Sequence, residues 1–361
     1  MLDRRAFLAV GAGLVTGKRL HSLTVARESQ QRGRLVIDGL GEIHLDYDMA
    51  LIDEIRASGM RGCVVTVGNP ALHGATAFDD MRSEVEAYDR HIAAHSDRFL
   101  RATSVADVDR AAREGKIGLI YYTQNATPIQ DDVERLTTLY DLGVRIVQLT
   151  YNTRNLLGDG CLERTNAGLS RFGVEVVERM NATRMLVDLS HCGEATTLDG
   201  IMVSRSPVAI THAGCKAVYD HPRNKTDEAL RRLADRGGVV GIYQINPYLG
   251  AKERNTLDDY LRHVDHAVNV AGIDHVGIGS DREHRTIPDT EAEKQKLIEE
   301  LSRLRPVTAA TFRWPFFISE LNHPRRMETI AEGLSRRGRT GAEIDKILGG
   351  NWYRLLRETI G

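Results

Sequence analysis

The sequence predicts a single α/β domain of the (β/α)8 TIM-type barrel class, with extra helices at its C-terminal end. Three observations predict it. Eight short apolar, β-branched runs recur along the chain, with segments of helical apolar spacing between them. The runs are apolar throughout rather than alternating, as strands covered on both faces must be. No G-x-G-x-x-G follows the first run, so a doubly wound open sheet lacks its usual signature.

In chain order the expected strands are 34–38, 63–67, 117–122, 146–150, 185–189, 208–211, 238–243 and 276–279. Helical spacing is read at 131–142, 172–181, 227–234 and 257–270. Beyond Asp281 the chain reads as extra helices at 291–304, 324–337, 342–348 and 352–359. The full length of 361 residues fits one barrel of common size, and no internal repeat or linker divides residues 34–361.

Residues 1–33 are read as a leader and tail outside the fold. Asp3-Arg4-Arg5-Ala6-Phe7-Leu8 precedes an apolar stretch from Ala9 to Val15, which resembles a twin-arginine export signal. That stretch is far too short to span a bilayer, so no membrane span is expected. No clear A-x-A cleavage site follows it. The expected location is exported and periplasmic.

Composition excludes several classes. Hydrophobic content of 42% and charged content of 27% are those of an ordinary soluble globular chain. A net charge of −2 argues against a nucleic-acid-binding surface. The pairs Arg231-Arg232, Arg325-Arg326 and Arg336-Arg337 lie beside acidic residues in expected helices, and read as solvated faces. Four cysteines, Cys63, Cys161, Cys192 and Cys215, are too few and too scattered for a disulfide framework or a CxxC zinc module.

The chemistry is concentrated where the strands run out. His191 ends Val-Asp-Leu-Ser-His, His212 ends Val-Ala-Ile-Thr-His, and Asp281 ends Val-Gly-Ile-Gly-Ser-Asp. Barrel active sites are built at the C-terminal ends of the strands. Any one of the three alone reads as a hydrogen-bonded structural residue. Together at one barrel face, two imidazoles and a carboxylate are a ligand set for zinc or a neighbouring divalent metal. Cys192 and Cys215 flank the histidines and read as buried spectators, with Cys215 a possible soft ligand or nucleophile. His263 and His266, on the helix before the last strand, are expected to face outward or to stand behind the ligands.

The chain resembles the membrane (renal) dipeptidases, peptidase family M19, among the amidohydrolase-like metal barrels. The resemblance runs from Val36 to the end. It is carried by Leu142-Gly143-Val144-Arg145, Met185-Leu186-Val187-Asp188-Leu189-Ser190-His191, Pro222-Arg223-Asn224, His275-Val276-Gly277-Ile278-Gly279-Ser280-Asp281 and Ile347-Leu348-Gly349-Gly350-Asn351-Trp352. The resemblance implies hydrolysis of dipeptides, including those with a C-terminal D-residue, with two zinc ions and a bridging water. It also implies that His191 and His212 bind one zinc and that Asp281 accepts and returns a proton. Arg223, with Asn224 beside it, would hold a substrate carboxylate. A homodimer is what the resemblance suggests.

Several positions depart from the family pattern. The family has a His-x-Asp pair after its first strand; here Leu40 and Glu42 stand at those places. The metal-bridging glutamate falls at Gln124, and a substrate-contacting histidine falls at Tyr151. Leucine cannot ligate, and a neutral amide bridges two cations poorly. One zinc ion is therefore expected, with the second position lost or much weakened. His44-Leu45-Asp46 is a second His-x-Asp four residues downstream. Using it would require the loop after the first strand to fold back over the barrel mouth.

Two functions follow. The favoured one is an exported, metal-dependent hydrolase with a mononuclear site, cleaving a dipeptide or a related small carboxylate-bearing amide. Its residues would be Asp281 as proton acceptor, His191, His212, Gln124 and Glu42 around the metal, and Arg223, Tyr151 and Asn224 at the substrate. The alternative is a catalytically silent barrel that binds a ligand after losing its second metal.

Overall fold

The computed structural model describes residues 34–304 and 312–361. The expected leader, and with it the expectation of export, lies outside the described residues. Leu35–Gly361 forms one compact unit.

The nine described strands are β1 (Val36–Asp38), β2 (Met60–Thr66), β3 (Phe99–Arg101), β4 (Ile117–Thr123), β5 (Val144–Gln148), β6 (Leu186–Asp188), β7 (Ala209–Ala213), β8 (Val239–Ile242) and β9 (Val276–Ile278). All pair in parallel, in the order β1-β2-β4-β5-β6-β7-β8-β9. The backbone N–H of Gly39 donates to Ile278 O at 2.8 Å, drawing the last strand back to the first. The result is a nearly closed eight-stranded barrel.

The departure from expectation is β3. It takes the N-terminal half of one edge of β4, pairing Phe99 to Ile117 and Arg101 to Leu119, while β5 takes the C-terminal half from Tyr121 onward. Three residues ending in an exposed arginine do not make an apolar run, so spacing alone did not mark it.

Helices cover the outside. They are α1 (Met49–Ala57), α2 (Gly74–Ala94), α3 (Val105–Glu114), α4 (Arg135–Asp141), α5 (Arg171–Ala182), α6 (Glu194–Val203), α7 (Asp227–Asp235), α8 (Asn246–Leu249) and α9 (Leu257–Ala271). Beyond the last strand come α10 (Glu291–Leu304), α11 (Arg326–Arg336), α12 (Gly341–Asp345) and α13 (Asn351–Thr359). Local chemistry sets their starts. Asp48 Oδ1 accepts from Leu51 N at 2.8 Å at the head of α1, and Ser104–Asp107 and Thr256–Asp259 close capping boxes on α3 and α9. No described helix is long and apolar enough to cross a membrane.

Strand alternation separates two buried layers. Ile37, Val64, Ile120, Ile146, Leu186, Ala209 and Val239 form the inner cluster together with Trp352 from α13. Cys63, Val65, Leu119, Val147, Val187, Ile210 and Val240 face the covering helices.

The Arg325-Arg326 pair is a correction. Arg325 is exposed, but Arg326 is fully buried, where its Nη2 donates to Ser280 Oγ at 3.1 Å beside Asp38. A sequence pair of like charges shows only composition; the helical turn sends its two members in different directions.

Candidate active site

Asp188 organises the C-terminal mouth. Its buried carboxylate accepts from Tyr122 Oη at 2.6 Å, Ser190 Oγ at 2.7 Å, Thr211 N at 2.7 Å and Thr211 Oγ1 at 3.0 Å. Burial raises its pKa, and those donors pull it back. Ser190 precedes His191 and Thr211 precedes His212, so one carboxylate locks both histidine-bearing turns. Ser190 Oγ also accepts from His212 N at 3.0 Å. An acid ending a buried apolar strand was a visible signal for this role, eclipsed by the histidines after it.

The hydrogen bonds select the histidine tautomers. Thr211 Oγ1 donates to Asp188, so the contact of 2.8 Å to His212 Nδ1 is an N–H donated by the ring. His212 Nε2 is then an acceptor; it is buried and lacks a hydrogen-bond partner. Burial, with Arg223 and Lys225 adding to it, holds the His212 pKa well below the ordinary value, so the ring is neutral. His191 Nδ1 lies 2.8 Å from Asn152 Oδ1, which likewise puts the proton on Nδ1 and turns Nε2 into a ligand atom. Asn152, at φ 58°, was missed in the sequence because an asparagine in a loop reads as turn chemistry.

The two imidazoles meet edge to face, with ring centroids 4.9 Å apart, and His212 Nε2 is 4.0 Å from Asp281 Oδ2. Asp281 has φ 51°, and its N–H donates to Leu40 O at 2.9 Å. Tyr151 stacks on His191 with centroids 4.2 Å apart. Glu42, Gln124, Tyr151, His191, Arg223 and Asp281 line one cavity of about 210 Å³, with His212 directly behind its wall.

Glu42 and Gln124 share a chain of contacts. Gln124 Nε2 donates to Thr66 Oγ1 at 2.9 Å, and Thr66 Oγ1 donates to Glu42 Oε1 at 2.8 Å. Burial pushes the Glu42 carboxyl up to about 8 despite that bond, and Asp281, Glu84 and Glu283 push the same way. Arg223 is buried. Its Nη1 donates to Ser190 O at 2.6 Å, while Nη2 has no hydrogen-bond partner.

Asn224 is the exception among the expected site residues. It lies outside this cavity, and its side chain is spent on the fold. Nδ2 donates to Tyr219 O and Tyr248 O at 2.8 and 2.9 Å, and Oδ1 accepts from Tyr243 Oη. His263 does not face outward. It is fully buried, accepts from Cys215 N at 2.9 Å and donates to Leu249 O at 3.0 Å. Cys215 donates its thiol to His263 O, and burial pushes the Cys215 and Cys192 thiols up, so neither is a poised nucleophile. His44 lines the cavity; Asp46 is exposed and does not.

The donors fit one metal ion better than two. Two neutral imidazoles present Nε2 lone pairs, and the buried Nε2 of His212 is an acceptor that the protein itself does not satisfy. Among the described residues no three His, Cys, Asp or Glu side chains already converge as a ligand set, so Glu42, lining the same cavity, would supply the third donor by moving. At the second position Leu40 sits in the inner apolar cluster, and Gln124 has committed its amide N–H to Thr66.

Comparison with known proteins bears on the fold and the family. The chain is 32% identical to an amidohydrolase of solved structure from Pseudomonas aeruginosa, at a TM-score of 0.80, covering 90% of this chain and 96% of that one. It is 30% identical over 292 residues to the dipeptidase tcpJ of Claviceps purpurea, covering 80% of this chain but only 61% of the fungal protein. An uncharacterised protein in the pqqA 5′ region of Klebsiella pneumoniae is 29% identical over 279 residues, covering 74% of this chain and 92% of that relative. The profile of the membrane dipeptidases, peptidase family M19, matches residues 38–310. With the barrel, the paired histidines and a family match over most of its length, the chain belongs to the membrane dipeptidase family, peptidase family M19.

Proposed function

We propose that this protein is a metal-dependent hydrolase of dipeptides or closely related carboxylate-bearing amides, working with one metal ion, zinc being the expected one. The observation that carries this reading is the meeting of His191 and His212, with their Nε2 atoms selected as acceptors, beside the carboxylate of Asp281.

His191 and His212 would hold a divalent ion, and such an ion would supply Lewis acidity. The chain's own groups do the rest. Asp281 takes the proton from the attacking water and returns it to the leaving amine, so one carboxylate serves in both directions. Arg223 offers Nη2 to the substrate carboxylate from a buried position, where a charge-assisted bond is strong. Tyr151 packs on the His191 ring and fixes its plane. The silent, ligand-binding barrel is the weaker reading, because the chain's relatives include dipeptidases and an amidohydrolase of solved structure. Export through the Arg4-Arg5 leader completes the reading; cell fractionation tests it, and a purely cytoplasmic full-length protein overturns it.

The test is a panel of L,L and L,D dipeptides with chelator-stripped and metal-restored protein. Turnover restored by one equivalent of metal is expected. His191→Ala should lose metal and rate together, whereas Asp281→Asn should keep its metal while the rate falls by about 10²-fold or more. Two equivalents of metal that resist dialysis would overturn the mononuclear site, and no turnover of any dipeptide would overturn the substrate class.

A further inference from the structure

The cavity at the barrel mouth has two unlike sides. The inner side is polar: Glu42, Gln124, His191, Arg223 and Asp281. The other side carries the apolar residues Ile245, Leu297, Leu301, Leu304, Phe316 and Phe317, with Glu283 and Glu300 among them. Two separate pieces of chain build it. Helix α10 contributes Leu297, Leu301 and Leu304, spaced i, i+4 and i+7 so that all three lie on one stripe. The segment after residue 312 contributes the two phenylalanines, fixed against the loop that follows β8 by Asn246 N donating to Phe316 O at 2.8 Å.

An amphipathic helix buries its stripe against the body of the protein. Here the stripe borders the cavity: Leu297, Leu301 and Leu304 are only partly buried, while Ile298 beside them is buried. Apolar surface that meets water inside a catalytic cavity gains free energy when a ligand's apolar group covers it, about 25 cal/mol per Å². The wall also has a fixed relation to Arg223. Tyr248, in α8 just after Ile245, packs edge to face on Phe316 with centroids 6.3 Å apart, and both line the cavity together with Arg223. A residue whose carboxylate sits on Arg223 occupies the same cavity that Ile245, Phe316 and the leucines of α10 line.

We propose that the substrate carries a bulky apolar side chain on the residue whose carboxylate Arg223 holds. This rests on the dipeptidase reading and names its substrate class: dipeptides with leucine, phenylalanine or a similar residue at the C-terminal position, in preference to alanine or glycine. Glu300, four residues from Leu304 on the same helix, and Glu283 line the cavity beside this wall. They disfavour an acidic side chain there.

The test has a binding arm and a turnover arm. Binding of N-acetyl-L-leucine and N-acetyl-L-alanine to the metal-loaded protein is measured by calorimetry, which reads the subsite without any catalysis. Turnover is compared between Ala-Leu, Leu-Ala and Ala-Ala. The leucine ligand should bind at least about tenfold tighter than the alanine one, and Ala-Leu should exceed both other dipeptides in kcat/KM by a similar factor, the scale at which apolar pockets discriminate. Leu301→Ser, on a largely solvent-facing helix, should collapse the leucine-to-alanine ratio in both arms. An unchanged melting temperature excludes misfolding, and Leu301→Met should restore the ratio. Equal binding of the two acetylated residues, or a ratio that Leu301→Ser leaves intact, overturns the proposal. A leucine preference in binding with no dipeptide turnover would instead overturn the dipeptidase reading and leave the subsite standing.

Discussion

Asn152 does for His191 what Thr211 does for His212: each accepts the Nδ1 proton and leaves Nε2 to a metal. Groups that orient a ligand in this way typically carry about 10–100-fold of metal affinity. Asn152→Ala should lose that much in a metal-buffer titration. The backbone there has φ 58°, so alanine also costs about 1–2 kcal/mol of strain. Asn152→Asp separates the two effects, because it keeps an acceptor and tolerates the same backbone; its metal affinity should return to the native range or above. Wild-type affinity in the alanine variant would sink the positioning role. Gln124→Glu runs the other way. It adds a carboxylate to the Thr66–Glu42 chain and should raise metal affinity in the same titration. The histidines and Asp281 were legible because each ends an apolar run at the catalytic face. Asn152 was not, since its role depends on a ring 39 positions away. Asn224 was legible only as part of a motif, and a motif does not distinguish a residue that holds substrate from one that ties Tyr219, Tyr243 and Tyr248 together.

Among the elements, α13 matters most to the barrel interior. It inserts Trp352 among the inner strand residues, where the indole Nε1 donates to Ile278 O at 2.9 Å. Room for the ring comes from two glycines. A Cβ on Gly39 would lie 2.3 Å from the ring, and one on Gly277 would lie 2.4 Å from its Nε1. Trp352→Ala should cost about 3–5 kcal/mol in denaturant unfolding, from lost burial and the cavity left behind. Gly277→Ala should also destabilise the native protein, by overpacking, but much less once Trp352 is alanine. That coupling is the signature of a shared space; additive losses in the double variant would refute it. Strands lying within apolar runs could be read from the sequence, the three-residue β1, β6 and β9 included, whereas β3, which ends in an exposed arginine, could not. The plugging role of α13 was also hidden, since helical spacing does not say which end of a barrel a helix closes.

The whole molecule gains an acid sensitivity from histidines it buries neutral. His263 joins Cys215 N, after β7, to Leu249 O at the end of α8, and burial lowers its pKa to about 4. His284 beside Asp38 is lowered to about 4 as well, again by burial first and by Arg326 next. In the unfolded chain each ring has the ordinary value near 6.5. The unfolded state therefore takes up a proton first as pH falls, and stability must drop with it. The contribution is whole above about pH 6.5 and is lost progressively down to about pH 4. A tenfold change in proton affinity is worth about 1.4 kcal/mol, so each ring accounts for up to about 3 kcal/mol over that window. Glu42, raised to about 8, acts with the opposite sign, so the total slope mixes several groups. A difference measurement isolates one of them. Unfolding free energies of the wild type and His263→Gln, followed from pH 7 to pH 4, should converge, because the variant lacks the ring whose protonation costs the wild type its stability. The variant starts lower, having lost the ring's packing and its two hydrogen bonds, yet its slope should be shallower. Parallel slopes would mean that His263 takes up its proton equally well in the folded protein, and that its burial between β7, α8 and α9 does not hold it neutral.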